Sequence, residues 1–296
     1  MAKVHIESVR ELVEKAGEIR KKLALGTRRI GNVHIGGPMS ATDAAVAIYY
    51  KYMDFDPENL DNSNRNQFIL SKGHNGILLY TIFCDMGIYD WDLLLDTYNT
   101  VGHPFGPHPN RKYVKGIEVS TGSLGHGLSW CCGIAHANRN RNIRARIFCM
   151  LGDGEMEEGS NWEAILYASS KKLDNIVAVV DFNHCSAAFE TNENVKWGDK
   201  GGPEGLADCY RAFGWNAVVV DGSKMADIDK VLSELPEVTL SGKPNCIICN
   251  TQKGQGVKFM EERPSAWHIG GFSDETLEET IELIEKYTQE RLAEVE

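Results

Sequence analysis

The sequence predicts an α/β fold, a parallel β-sheet with helices packed on both faces. Three observations point there. From residue 145 onward, apolar runs alternate with helical patterns: strand 145–151, helix 161–172, strand 176–182, helix 204–213, strand 216–221, helix 225–235, strand 245–250. Such alternation marks strands laid side by side through helical crossovers. Of the 296 residues, 42% are hydrophobic, enough for a substantial core and against disorder. Finally, Asp153 and Asn183 fall at the ends of successive strands, at the sheet edge where open α/β folds bind ligands.

The elements follow in chain order. Residues 4–25 read as a helix, with Val9, Leu12, Val13, Ala16 and Ile19 at helical spacing. A loop over 31–40 precedes a helix over 41–53. Residues 67–70 read as a short strand leading into a helix at 76–86. The stretch 101–116, rich in Gly, Pro and His, reads as a loop. A helix of small and apolar residues runs from after Gly125 to about Asn138. Beyond the alternating region, residues 273–296 form an acidic helix capped by Ser273 or Asp274. No linker or repeat divides the chain, so residues 1–296 are expected to form a single domain with helical extensions at both ends.

The formal net charge of −11 argues against a nucleic-acid surface, which needs a basic footprint. It leaves room for an anionic ligand, because a divalent ion and helix N-termini can hold phosphate on an acidic protein. Several of the eight cysteines sit in apolar runs, as buried reduced thiols do. Cys246 and Cys249 have a CxxC spacing, but within a strand their odd offset sends them to opposite faces. With no apolar signal core and no membrane-length run, a cytoplasmic location away from membranes is expected.

The most informative segment is Gly152-Asp153-Gly154-Glu155-Met156-Glu157-Glu158-Gly159, followed by Asn183. A carboxylate and an amide oxygen converging at strand ends are hard ligands suited to Mg²⁺, which completes its shell with waters and phosphates. Gly152 and Gly154 let the backbone approach a diphosphate closely. Taken alone, the pair also fits an ordinary strand-end turn.

His34-Ile35-Gly36-Gly37-Pro38-Met39, Leu70-Ser71-Lys72-Gly73-His74-Asn75-Gly76, Val119 to Gly127 (VSTGSLGHG) and Ala212-Phe213-Gly214-Trp215 surround that segment in an order found in transketolases. Over roughly residues 10 to 270 the chain resembles the N-terminal half of a transketolase, most closely the form encoded as a separate subunit. The resemblance implies a thiamine diphosphate-binding (PP-type) fold. It implies a thiamine diphosphate- and Mg²⁺-dependent enzyme (Ca²⁺ or Mn²⁺ as substitutes) moving a two-carbon ketol unit from a ketose to an aldose. The metal would be held by Asp153, Asn183 and the backbone carbonyl of Cys185. The cofactor would meet His74, Gly122, Leu124, Gly154 and Asn183.

Imidazoles suit the proton transfers to and from sugar hydroxyls. By resemblance, His34, His74 and His108 face the substrate or the diphosphate, with His103 a rival to His108. Glu158 matches a carboxylate at the subunit contact that connects paired active sites. Glu155 and Glu157 read as surface charge, and Ser123 as a helix cap. His126 fits either a cofactor contact or a structural hydrogen bond. His5, His136 and His184 read as ordinary surface or loop residues, and Trp130, Trp162 and Trp215 as core or interface.

Two stretches depart from the family pattern. Residues 185–197 replace the usual Ile-Asp-Gly-containing loop, and the segment 253–268 lacks the tandem histidines, keeping a Lys-Gly-Gln-Gly-Val run and a Trp267-His268 pair. The sugars are therefore expected to be anionic but not necessarily the usual pentose phosphates. The resemblance also implies a separate pyrimidine-binding subunit, two copies of each chain, and no activity without it. Two alternatives stand beside this reading. One is a 2-oxo-acid-decarboxylating relative of the deoxyxylulose phosphate synthase or dehydrogenase E1 type, the other a non-catalytic regulatory subunit. No phosphate loop of the Gly-x-x-x-x-Gly-Lys-Ser/Thr type supports a phosphotransferase.

Overall fold

A parallel five-stranded sheet forms the centre of the computed structural model, which describes residues 5–53, 55–187 and 189–295. Its strands are β1 (Gln67–Leu70), β2 (Ile147–Gly152), β3 (Ile176–Phe182), β4 (Asn216–Asp221) and β5 (Asn245–Asn250), in spatial order β1-β2-β3-β5-β4. Every neighbouring pair is parallel, and Gly152 of β2 stands opposite Asp181 of β3. Asp153 and Asn183 are thus each the first residue past the C-terminal ends of adjacent strands.

The helices of seven residues or more are, in chain order, α1 (Val9–Ile30), α2 (Gly36–Ala47), α3 (Gly76–Asp85), α4 (Trp91–Thr97) and α5 (Gly127–Asn140). They continue with α6 (Gly159–Ser170), α7 (Gly202–Ala212), α8 (Met225–Ser233) and α9 (Asp274–Ala293). All residues of β2 and β3 are buried, because both faces are covered. Phe148, Met150, Val177, Val179 and Cys249 pack with α1 to α4, α8 and α9. Cys149, Leu151, Ala178, Val180 and Cys246 pack with α5, α6 and α7. Cys246 and Cys249 accordingly occupy opposite faces, and all eight cysteines are free.

Where element ends moved, local chemistry explains it. α1 starts at Val9 because Ser8 and Glu11 form a reciprocal capping box, and it stops at Gly31, whose φ is +95°. The expected 31–40 loop is a correction: Val33–His34 is a short strand and α2 already begins at Gly36. Pro38 lies in the first turn of α2, where a missing N–H costs nothing. Every residue of α2 is buried, so no amphipathic stripe announces it. α4, unforeseen, is capped by Asp90 accepting from the Leu93 N–H. α5 begins after His126, so Ser123 is not its cap. Ser273 caps α9 by accepting from the Thr276 N–H. Among the described residues no helix is long and apolar enough to cross a membrane.

Short contacts between distant segments build the rim above the sheet. Val33–His34 pairs antiparallel with Ile269–Gly270, setting His34 opposite Ile269. The Gly36 N–H donates to the Trp267 carbonyl, and the Gly254 N–H to the Gly36 carbonyl. Below this, Arg20, only 1% exposed, donates to Asp43 and to the Met39 carbonyl, and Gln255 Nε2 donates to Asp43 at 3.0 Å. Arg20→Ala is expected to cost about 3 kcal/mol, since it leaves a buried carboxylate without its cation. Chemical denaturation of the purified chain measures it; a loss under about 1 kcal/mol would contradict the network.

Candidate functional site

The strand ends β2 and β3 open into a cavity of about 260 Å³. Asp153 and Asn183 both line it. Asp153 is 1% exposed, and its Oδ2 accepts from Thr191 Oγ1 at 2.6 Å. Burial pushes its carboxyl up to about 6, with the Thr191 hydroxyl pulling the other way. Asn183 Nδ2 donates to Ser40 Oγ (3.1 Å) and Asp181 Oδ2 (3.3 Å), while its Oδ1 accepts from the Cys185 N–H (3.2 Å). The donor end of the amide is therefore committed, which fixes where the acceptor end lies.

Two glycines are required by shape. A Cβ on Gly154 would stand 2.8 Å from Ser186 Cα. Gly122 has φ +140°, and a Cβ there would meet the His108 ring at 3.0 Å. Leu124, Cys185 and Ser186 also face the cavity.

Four imidazoles gather at one side. His34 lies between the others, with ring centroids 5.1 Å from His268, 5.5 Å from His74 and 6.3 Å from His108. His74 and His268 are 5.6 Å apart. Burial lowers the basicity of all four: His34 further by His108 and Lys253, His74 further by Lys72 and His34. His268 falls to about 4, through burial first and then the neighbouring Lys253. These rings are neutral near pH 7. His103, the rival to His108, is exposed and does not line the cavity.

Charged side chains that sequence reasoning left without a role complete the site. Lys72, 2% exposed, donates to Asp181 Oδ2 at 2.6 Å beneath the Gly152 turn. Lys253, 3% exposed, donates to the Ala187 carbonyl at 2.7 Å and lies 3.2 Å from His268 Nδ1. Burial lowers its basicity. Glu155 is a correction: it is no surface charge but 3% exposed, accepting from Ser71 Oγ and from the Gly125 (2.9 Å) and Gly152 (3.1 Å) N–H groups. One carboxylate thereby joins three loops of the site. The signal was a charge embedded in glycine-rich blocks, where solvated faces are rare.

Other expected residues lie elsewhere. Glu158 sits exposed at the start of α6 and lines no part of the cavity. His126 Nδ1 donates to the Leu124 carbonyl at 2.8 Å, shaping the turn that holds Leu124. Trp215 is buried and donates to the Ile165 carbonyl, Trp162 is half-buried against Trp197 and Phe213, and Trp130 is 55% exposed.

A buried carboxylate and an oriented amide oxygen form a hard, all-oxygen start to a cation site. Among the described residues no group of three or more His, Cys, Asp or Glu could hold a metal by itself. The pair instead suits an ion that shares its shell with backbone, water and phosphate oxygens.

With this geometry established, comparison with known proteins places the fold and the family. The family model described as transketolase, thiamine diphosphate binding domain, matches residues 16–280. The chain is 34% identical over 252 residues to the 6-deoxy-6-sulfo-D-fructose transketolase subunit SqwG of Clostridium sp. (strain MSTE9), covering 85% of this chain and 88% of that one. It is 34% identical over 261 residues to one subunit of the apulose-4-phosphate transketolase of Actinobacillus succinogenes, covering 87% and 90%. The transketolase crystal structure from Campylobacter jejuni superposes with a TM-score of 0.83 at 24% identity, over 97% of this chain and 46% of that chain. The chain thus spans about half the length of that solved transketolase. It belongs to the transketolase family of transferases, as its thiamine diphosphate-binding domain.

The imidazole cluster makes stability depend on pH in a definite direction. Unfolded, these rings take protons near 6.5; folded, they resist until lower pH. The unfolded chain therefore binds more protons below about pH 6.5, and stability present above that value is lost as pH falls towards about 4. Asp153 and Glu155 oppose the trend, since burial raises both carboxyls, but they are two groups against four. Calorimetry is expected to show a Tm that falls from pH 6.5 to about 4.5, with a smaller slope in His268→Asn; a flat Tm would contradict neutral burial of the cluster.

Proposed function

We propose that this chain is the thiamine diphosphate-binding subunit of a two-chain transketolase that transfers a two-carbon ketol unit from an anionic ketose to an aldose. One observation carries the reading. Asp153 and Asn183, first past the ends of adjacent parallel strands, line one cavity with the neutral imidazoles of His74, His108 and His268 and two lysines, and the His34 ring packs against all three imidazoles. Oxygen ligands and cationic side chains at a sheet's C-terminal edge suit a metal-bound diphosphate.

In this reading Asp153 Oδ, Asn183 Oδ1 and the Cys185 carbonyl hold Mg²⁺. The buried Asp153 carboxyl, pushed up by desolvation, gains a cation to offset its charge. The arrangement of Asn183, with its Nδ2 held by Asp181 and Ser40, turns an acceptor towards the same ion. Gly154, His74 and Asn183 receive the diphosphate, and Lys72 and Lys253 add positive charge where Coulomb attraction is strong because water is excluded. Gly122 and Leu124 meet the cofactor's ring system. When bound, thiamine diphosphate supplies the carbon nucleophile that cleaves and reforms the bond beside a ketose carbonyl.

The chain's own contribution is proton management and orientation. His34 and His108, both neutral, accept a proton from a sugar hydroxyl and return it to the new one. The crowded histidine wall excludes water from the reacting carbonyl. The names of the two relatives support a donor with a terminal phosphate or sulfonate, and they support a separate partner chain. Glu158, exposed at the α6 start, is available to a neighbouring chain, and two copies of each polypeptide would let it bridge paired sites.

Asp153→Ala is expected to abolish Mg²⁺-dependent thiamine diphosphate binding, while His34→Ala spares binding and lowers kcat about a hundredfold in the assembled enzyme. Titration calorimetry and a donor–acceptor assay of the assembled enzyme measure the two effects. Normal metal-dependent binding by Asp153→Ala sinks the metal assignment. Release of carbon dioxide from a 2-oxo acid without ketol transfer would replace the reaction class.

A further inference from the structure

We propose that Lys253 is a positioning residue that locks the His268 imidazole as its Nε2–H tautomer, making His268 a permanent hydrogen-bond donor rather than a proton-exchanging group. The identity of the oxygen it would serve, on a sugar substrate, rests on the transketolase reading; the tautomer does not. Lys253 Nζ lies 2.7 Å from the Ala187 carbonyl oxygen and 3.2 Å from His268 Nδ1. An ammonium only donates, so Nδ1 must accept and carries no hydrogen. The neutral ring then keeps its hydrogen on Nε2. Adding a proton at Nδ1 would set two N–H groups against each other beside a buried cation.

The surroundings enforce the same state. Lys253, His34 and Lys72 all disfavour a second proton on His268, burial works in the same sense, and the His74 ring lies 5.6 Å away. The ring is also held in place through its backbone. Trp267 accepts from the Gly36 N–H, and Ile269 pairs with His34. Among the described residues no hydrogen bond fixes a ring nitrogen of His34, His74 or His108, so these remain free to choose a tautomer. One imidazole of four is thus set apart. His268 can donate to a carbonyl or hydroxyl oxygen, while His34 and His108 can pass a proton in either direction.

The same ammonium ties the 185–190 hairpin to the 253–268 segment. These are the two stretches where the sequence leaves the family pattern, and the lysine couples them.

The test is a long-range proton–nitrogen correlation spectrum of the full chain labelled with ¹⁵N-histidine, with His268 assigned by its loss in His268→Asn. Wild type is expected to show Nδ1 unprotonated and Nε2 protonated, unchanged from about pH 8 to about 5.5. In Lys253→Met the ring should show mixed tautomers and titrate at a higher pH than in wild type, while burial, His34 and Lys72 still hold it below the ordinary 6.5. Lys253→Arg, which keeps cationic donors, should restore the wild-type pattern. In the assembled enzyme, Lys253→Met is expected to lower kcat about tenfold with a smaller change in KM, and to move the acidic limb of the pH profile upward relative to wild type. A protonated Nδ1 in wild type, titration of wild-type His268 near 6.5, or an unaltered His268 in Lys253→Met overturns the proposal. The spectra need no substrate, so failure of ketol transfer would leave the tautomer result standing and indict the functional reading instead.

Discussion

The Asp181 carboxylate, 2% exposed, is the interaction on which the site depends. It accepts from Lys72 of the loop after β1, Ser40 of α2, Asn183 after β3 and Thr251 after β5. A buried charge of this kind is tolerable only when paired and saturated with hydrogen bonds. Here the saturation draws four separate chain segments to one point under the cavity. Removing any donor would leave part of the carboxylate unsatisfied, at a cost on the order of 1–3 kcal/mol. The stability stored there therefore doubles as positional control of Asn183 and Lys72.

Glu155 repeats the device on the opposite wall. Its carboxylate gathers Ser71, Gly125 and Gly152, so the loop carrying His74, the turn carrying Gly122 and Leu124, and the Gly-Asp-Gly turn move as one body. Buried acids are usually a liability in a core. At this sheet edge they satisfy backbone N–H groups that a tight turn exposes and no ladder can pair. Preorganisation of that sort lets binding energy go into holding the ligand rather than ordering loops.

Much of this was legible in the residues. β1, β3, β4 and β5 match their expected spans because continuous apolar runs bounded by polar turns leave little freedom in register. That Asp153 and Asn183 end adjacent strands was visible from the alternating pattern, though only the surrounding glycine- and histidine-containing blocks set the pair apart from an ordinary turn. What stayed hidden depends on long-range contact. α2 is buried all round and so lacks periodicity, and His268 is 234 positions from His34, brought beside it only by a two-residue antiparallel pairing. Lys72 and Lys253 were readable as lysines in glycine-rich blocks, but nothing local says that one meets Asp181 and the other a histidine. Glu155 was misread for the same reason: three closely spaced acids, Glu155, Glu157 and Glu158, differ only in which way the turn after β2 points them.

The arrangement also resolves an electrostatic tension. A chain of net charge −11 should repel a diphosphate, yet the field at a site is set by nearby, poorly screened groups rather than by the total. The surface acids of α9 lie in solvent, where attraction and repulsion fade within about one Debye length. Inside the cavity Lys72 is paired with Asp181, whereas Lys253 meets only a carbonyl and a ring nitrogen, so its poorly screened charge is left for the ligand. Keeping the imidazoles neutral matters in this setting. Four protonated rings around two ammonium groups would destabilise the fold and deprive the site of proton acceptors. Burial prevents that, so the imidazoles are left to exchange protons rather than to add charge.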